Sequence, residues 1–253
     1  LPYIDVLGKK TYFQQSGNFQ AGLKTILCVH GAGGTSENWI YQLANFDNCN
    51  IIAPDLPGHG LSEGSPPDSI NSYRDFVLNF AQALEINSFV LMGHSMGGAI
   101  ALELAIAHPI VLKGLIIVGS GARLRVNPSV LDALSRGRCP VENIEYSYSK
   151  KSPPAILDKA RLAMNNVPID VLKADFYACN KFDIMNRLPR IKIPVLIICG
   201  KEDQMTPLKY SDYLCKNIPN SNLVHVTNAG HMAMLERPDQ VNGAITKFLE
   251  MLY

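Results

Sequence analysis

The chain has 253 residues, 47% of them hydrophobic and 18% charged, with a formal net charge of +1. That is enough apolar material for one large core, without a low-complexity or disordered tract. The near-neutral balance gives no electrostatic reason to expect nucleic acid or an anionic membrane as a partner, and no apolar run reaches membrane-spanning length.

Taken in chain order, residues 1–10 read as a short strand without a charged, apolar leader, and two early strands are expected within residues 3–14. The apolar run 25–29 reads as the next strand and opens into His30-Gly31-Ala32-Gly33-Gly34. A strand over 50–53 leads to Asp55-Leu56-Pro57-Gly58-His59-Gly60-Leu61-Ser62. Tyr73, Phe76, Val77, Phe80 and Leu84 recur at helical spacing, so a helix is expected over 72–84, with Ser72 and Asp75 as its capping box. A strand ending at Met92 and a helix over 97–107 flank Gly93-His94-Ser95-Met96-Gly97. Further strands are expected at 115–118, 195–199 and 223–227, with a last helix over 238–252.

Residues 122–190 break the alternation. They contain no convincing strand, and Pro128, Pro140, Pro153, Pro154, Pro168 and Pro189 punctuate short helices, one of them started by Ser152-Pro153. The expected division is therefore a core of residues 1–121 and 191–253 with a helical cap of residues 122–190 inserted over the mouth of the site. Cys28, Cys49, Cys139, Cys179, Cys199 and Cys215 show no paired spacing and read as the reduced thiols of a cytoplasmic protein.

The chemistry is signalled first by Ser95. A Gly-x-Ser-x-Gly pentapeptide between a strand and a helix forces a sharp turn that presents the hydroxyl at its tip, beside free N–H groups at the helix start. A serine hydroxyl needs a base, and the base needs an orienting carboxylate. His231, in the loop Asn228-Ala229-Gly230-His231-Met232, is the expected base. Of the other histidines, His94 is expected to point away, His108 ends a helix, His225 lies within a strand, and His30 and His59 belong to glycine-rich segments. Asp203 follows the strand 195–199 and is the expected acid, with Glu202 beside it as the alternative. The small loop after Val29 is expected to supply the Ala32 N–H which, with that of Met96, would hold an oxyanion; Gly33 is the alternative if the register shifts by one. A phosphate-cradling loop is disfavoured, because no Gly-Lys-Ser/Thr follows.

His30-Gly31 with its small loop, the segment Asp55 to Ser62, the elbow at Ser95, the Asp203 turn and the His231 loop together resemble the α/β-hydrolase family over nearly the whole chain. The resemblance implies an α/β fold with a mostly parallel eight-stranded sheet, flanking helices and an inserted helical cap. It also implies the order Ser95, Asp203, His231, and Gly-x-x-Asp-x-x-x-Pro at 200–207 sets the carboxylate at the family's usual position. The subgroup it most resembles holds small carboxylesterases, enol-lactone hydrolases and carbon–carbon bond hydrolases. Relatives that perform dehalogenation or epoxide opening carry aspartate where Ser95 stands.

The resulting expectation is a serine hydrolase of small carboxylic esters, with no metal or organic cofactor, acting as monomer or homodimer. Two alternatives stand beside it: a lactone or carbon–carbon bond hydrolase with the same residues, and a non-catalytic receptor for small ligands. Trp39, Leu124, Met164, Phe176, Met205 and Met232 are the expected pocket walls, each with core packing as its other reading. Arg123, Arg125, Arg136 and Arg138 are candidates for an acidic substrate or, more simply, a solvated cap face.

Overall fold

The computed structural model describes residues 2–252 except Asn18, Phe19, Ala21 and Asp47; Leu1, the first residue of the expected amino-terminal strand, lies outside them. Among the described residues, eight strands form one sheet: β1 (Tyr3–Val6), β2 (Lys9–Gln15), β3 (Lys24–Val29), β4 (Cys49–Pro54), β5 (Phe89–His94), β6 (Leu112–Val118), β7 (Val195–Gly200) and β8 (Ser221–Val226). Their order is β1-β2-β4-β3-β5-β6-β7-β8. Antiparallel pairing joins β1 to β2 and β2 to β4, and every pair from β4 to β8 is parallel. The expected eight-stranded, mostly parallel sheet is therefore present.

The period of two along each strand sends neighbours to opposite faces. Leu91, Leu115, Ile117, Val195 and Ile197 enter one core cluster, whereas Val90, Met92, Ile116, Leu196 and Ile198 enter the other. Helices cover both faces, so β4, β5 and β7 are buried along their whole length, and β7 reads as an unbroken apolar run. The helices are α1 (Ile40–Leu43), α2 (Ile70–Ala83), α3 (Met96–Ala107), α4 (Pro128–Ser135), α5 (Pro154–Asn165), α6 (Ile169–Lys181), α7 (Leu208–Asn217), α8 (Ala233–Glu236) and α9 (Pro238–Leu252). α3 is buried on every side from Met96 to Ile106, and its one charge, Glu103, is met by a two-point bond from Arg187 at 2.7 and 3.0 Å. Among the described residues, no helix is long and apolar enough to cross a membrane.

The start of α2 corrects the sequence expectation. Ser69, not Ser72, caps the helix, accepting the Ser72 N–H at 3.2 Å. Starting earlier buries Ile70 beside Tyr73 and Val77 in the first core cluster, which outweighs the Ser72–Asp75 pattern.

Between β6 and β7 the described chain holds α4, α5, α6 and two 3-10 segments, Val141–Ser147 and Met185–Arg190, with one isolated bridge from Arg123 to Asp183. α5 begins at Pro154, with Pro153 at its cap position. This insertion does not float on the surface. Ala178, Cys179, Phe182, Ile184 and Leu188 are buried in the same cluster as Leu27 and Leu91 of the sheet.

Candidate active site

Ser95 lies where β5 turns into α3, at φ 53° and ψ −113°. An L-residue held there costs on the order of 1–3 kcal/mol, and it persists only where its surroundings impose it. Here the Ser95 N–H donates to the Val118 carbonyl at 3.0 Å, and Ser120 Oγ donates to the Ser95 carbonyl at 2.7 Å. Backbone crowding explains the flanking glycines. A Cβ on Gly93 would overlap the Gly97 carbonyl, and one on Gly97 would overlap the Val29 carbonyl.

Asp203 and His231 meet in the loops after β7 and β8. His231 Nδ1 lies 2.9 Å from Asp203 Oδ2, and both side chains are buried. Asp203 Oδ1 accepts the N–H groups of Met205 and Thr206 at 2.9 and 2.8 Å, and Oδ2 also accepts Thr206 Oγ1 at 2.9 Å. Burial pushes the Asp203 carboxyl up, but His231 and the Thr206 bonds outweigh it and hold it below its usual value. Glu202 turns elsewhere, accepting Ser149 Oγ of the insertion at 2.7 Å. Of the two acids, only Asp203 is joined to His231.

His94 departs from expectation. Its ring does not turn away from the site but sits 4.6 Å, centroid to centroid, from that of His231, with Nε2 3.0 Å from the His231 carbonyl. The β5–α3 turn comes close to the loop after β8, so the ring reaches that loop's backbone. Burial, and then the nearby His231, lower its pKa to about 3, so it stays neutral and braces the loop.

Two compartments meet at Ser95. The inner one, of about 150 Å³, is walled by Val130, Ile144, Met164 and Phe176 as well as by Gly31, Ser95 and His231. The wider one, of about 640 Å³, shares Ala32, Ser95, Phe176 and His231 and adds Leu124, Arg125, Asn127 and Gln204. Ala32 lines both, whereas the Gly33 N–H is given to Asp175 Oδ2 at 2.8 Å, which removes Gly33 as the alternative donor. Met96 opens α3, where the first N–H groups have no intrahelical partner.

Of the expected walls, Met164 and Met232 face the inner compartment, Leu124 the wider one, and Phe176 and Met205 both. Trp39 does not belong with them. It closes a short 3-10 segment capped by Thr35 and is fully buried in the second core cluster with Ile26, Ile51 and Met92. Arg123 and Arg136 are paired with Asp183 and Asp132; of the four candidate arginines, Arg125 lines the wider compartment and Arg138 lines neither.

Two buried carboxylates escaped the sequence reading. Glu236 accepts the N–H groups of Gly230 and Ser149 at 2.8 and 2.7 Å and Ser152 Oγ at 2.6 Å, fastening the His231 loop to the insertion. Asp175 fastens the Gly33 loop in the same way. A signal for Asp175 was available: it falls at helical spacing with Val171, Leu172, Ala178 and Cys179, on the apolar stripe of α6.

A fold of this kind, with a strained serine at the β5–α3 turn and a carboxylate-braced histidine beside it, defines a hydrolase scaffold. The chain matches the model of the alpha/beta hydrolase family over residues 26–244, and it belongs to that family. It is 28% identical over 94% of its length, and 97% of the relative's, to an Agrobacterium fabrum protein named "Putative carbamate hydrolase RutD". A solved structure of a thermophilic esterase is 32% identical, with a TM-score of 0.87 over 99% of this chain and 97% of that one. Another, described as "Est816 as an N-Acyl homoserine lactone degrading enzyme", is 27% identical, with a TM-score of 0.87 over 98% and 100%. Hydrolysis is the chemistry these relatives have in common.

Proposed function

We propose that the protein is a serine carboxylesterase that cleaves small carboxylic esters through an acyl-enzyme intermediate. One observation carries the reading: Ser95 and His231 share the walls of both compartments, and His231 is braced from behind by Asp203. His231 takes the Ser95 proton as Oγ bonds to the ester carbonyl carbon. The N–H groups of Ala32 and Met96 hold the oxyanion, and collapse of the intermediate expels the alcohol, which leaves with the proton from His231. Water, activated by the same histidine, then releases the acid and restores Ser95.

The compartments suggest which end of the ester goes where. About 150 Å³ is the size of an engineered cavity that accepts benzene, so the inner compartment suits a short acyl chain or a small ring. The wider, more polar compartment suits the alcohol. Residues of the insertion wall both, which supports reading 122–190 as a cap that sets specificity. A p-nitrophenyl ester series from acetate to a long acyl chain tests the reading. Turnover peaking at short chains and abolished in Ser95→Ala supports it; serine-independent turnover overturns it. A lactone substrate is the second reading, favoured by Arg125 beside Asn127 and Gln204 in the wider compartment. Faster ring opening of acyl lactones than of any linear ester would select it.

A further inference from the structure

We infer that Asp175, on α6, is a positioning residue for the oxyanion loop; the inference rests on the esterase reading, in which the Ala32 N–H stabilises the transition state. Asp175 is fully buried and joins three segments distant in sequence. Its Oδ2 accepts the Gly33 N–H at 2.8 Å, one residue beyond Ala32, and lies 2.8 Å from His59 Nε2 in the loop after β4. Its Oδ1 accepts the Tyr73 hydroxyl of α2.

The charge state follows from the partners. His59 Nδ1 faces the Pro57 carbonyl at 3.1 Å, and Nε2 faces the Asp175 carboxylate. Both neighbours accept, so both ring nitrogens donate and His59 is an imidazolium, which compensates the buried carboxylate. Burial alone would lower the His59 pKa, yet Asp175 outweighs it and holds it above its usual value. The Gly33 N–H thus donates to an ionised acceptor, the stronger class of hydrogen bond.

The loop is also tied within itself, the Gly34 N–H donating to the Gly31 carbonyl at 3.0 Å. Gly33 sits at φ +65°, and a Cβ there would meet Leu172 Cδ2 at 2.7 Å, so α6 rests directly on it. On the other side, His30 Nε2 accepts the Leu56 N–H at 3.1 Å, and its ring packs 4.9 Å from that of His59. Asp175 is also followed at once by Phe176, which walls both compartments. The residue that touches substrate and the residue that sets the oxyanion loop are therefore consecutive on one helix. A donor displaced by about 1 Å costs up to about 100-fold in rate, so loosening this loop should act on the chemical step.

The experiment compares wild type, Asp175→Asn and Asp175→Ala on the best p-nitrophenyl ester, together with inhibition by a short alkyl trifluoromethyl ketone, whose serine adduct carries an oxyanion. Asparagine can keep an oxygen toward Gly33 but loses the charge; alanine loses the acceptor. The expected order of kcat is wild type, Asn, Ala, with falls of about 3- to 10-fold and about 10- to 100-fold and KM within about 3-fold. Ketone affinity should fall by the same factors. Wild-type kcat and ketone affinity in both variants, with only a lower melting temperature, would overturn the inference and leave Asp175 as a fastener of the insertion. If the alanine variant does not fold, the asparagine variant decides alone: unchanged kcat and ketone affinity overturn the inference. Turnover that survives Ser95→Ala overturns the esterase reading and this inference with it, whereas serine-dependent turnover insensitive to Asp175 overturns only the latter.

Discussion

Glu236 Oε1 accepts the Gly230 N–H at 2.8 Å, one residue before His231. Its other oxygen accepts from Ser149 and Ser152 of the insertion, so the His231 loop and the insertion share one buried carboxylate. Removing that acceptor leaves buried donors unpaired, at about 1–3 kcal/mol each. Glu236→Ala should lose about 3 kcal/mol or more of unfolding free energy in urea, and Glu236→Gln distinctly less. Equal stability of wild type and Glu236→Ala would deny the carboxylate this role.

Asp203→Asn should lower kcat by about 10³- to 10⁴-fold with folding intact, because an amide facing His231 Nδ1 favours the wrong tautomer. Glu202→Gln should change kcat by less than about 3-fold, since that side chain bonds Ser149 and not His231. Steady-state kinetics on one ester distinguishes the two, and a reversed order would transfer the acid role.

Much of this site was legible because each of its parts ends a parallel strand. Ser95 and Asp203 follow apolar runs and His231 a strand-like segment, and the glycines around them mark turns that few other residues permit. Trp39 was not legible: a lone aromatic in a short 3-10 segment carries no periodicity to say which face it meets. The Ser72–Asp75 pattern marked the start of α2 too late, because the burial of Ile70 that sets the cap at Ser69 is a tertiary contact. Glu236 carries no mark of its burial, because one of its partners is the Ser149 N–H, remote in sequence, whereas the place of Asp175 on the apolar stripe of α6 was a signal that its charge is buried.

The inner compartment should set acyl length. Met164 lines it, and Met164→Ala enlarges it by about three heavy atoms. The preferred acyl chain should lengthen by one or two carbons in the p-nitrophenyl series. Ala163→Leu, on the same wall, should shorten it or exclude all but acetate. An unchanged chain-length profile in both variants would place the acyl group elsewhere.

Buried neutral histidines should make the fold acid-sensitive. His94, with its pKa near 3, binds no proton between pH 6.5 and 3, whereas the unfolded chain does. Stability from this group therefore falls as pH drops through that window, by at most about 1.4 kcal/mol per unit. His30, also lowered by burial, adds in the same direction. His59 has the opposite sign: its contribution is present below its unfolded pKa and is lost as pH rises through its raised folded value. Urea unfolding at pH 7 and pH 5 should show a loss that shrinks by roughly 1–2 kcal/mol in His94→Gln. An unaltered loss in that variant would assign the acid limb to other groups.

Esterase turnover by this site runs through a covalent intermediate on Ser95. A brief reaction with p-nitrophenyl acetate, quenched in acid and followed by intact-mass and peptide analysis, is the decisive measurement. One acetyl group is expected on the peptide containing Ser95, with a burst of p-nitrophenol of matching size, and neither in Ser95→Ala. Ester turnover with no acetylated peptide, or with the acetyl group on another residue, would contradict it.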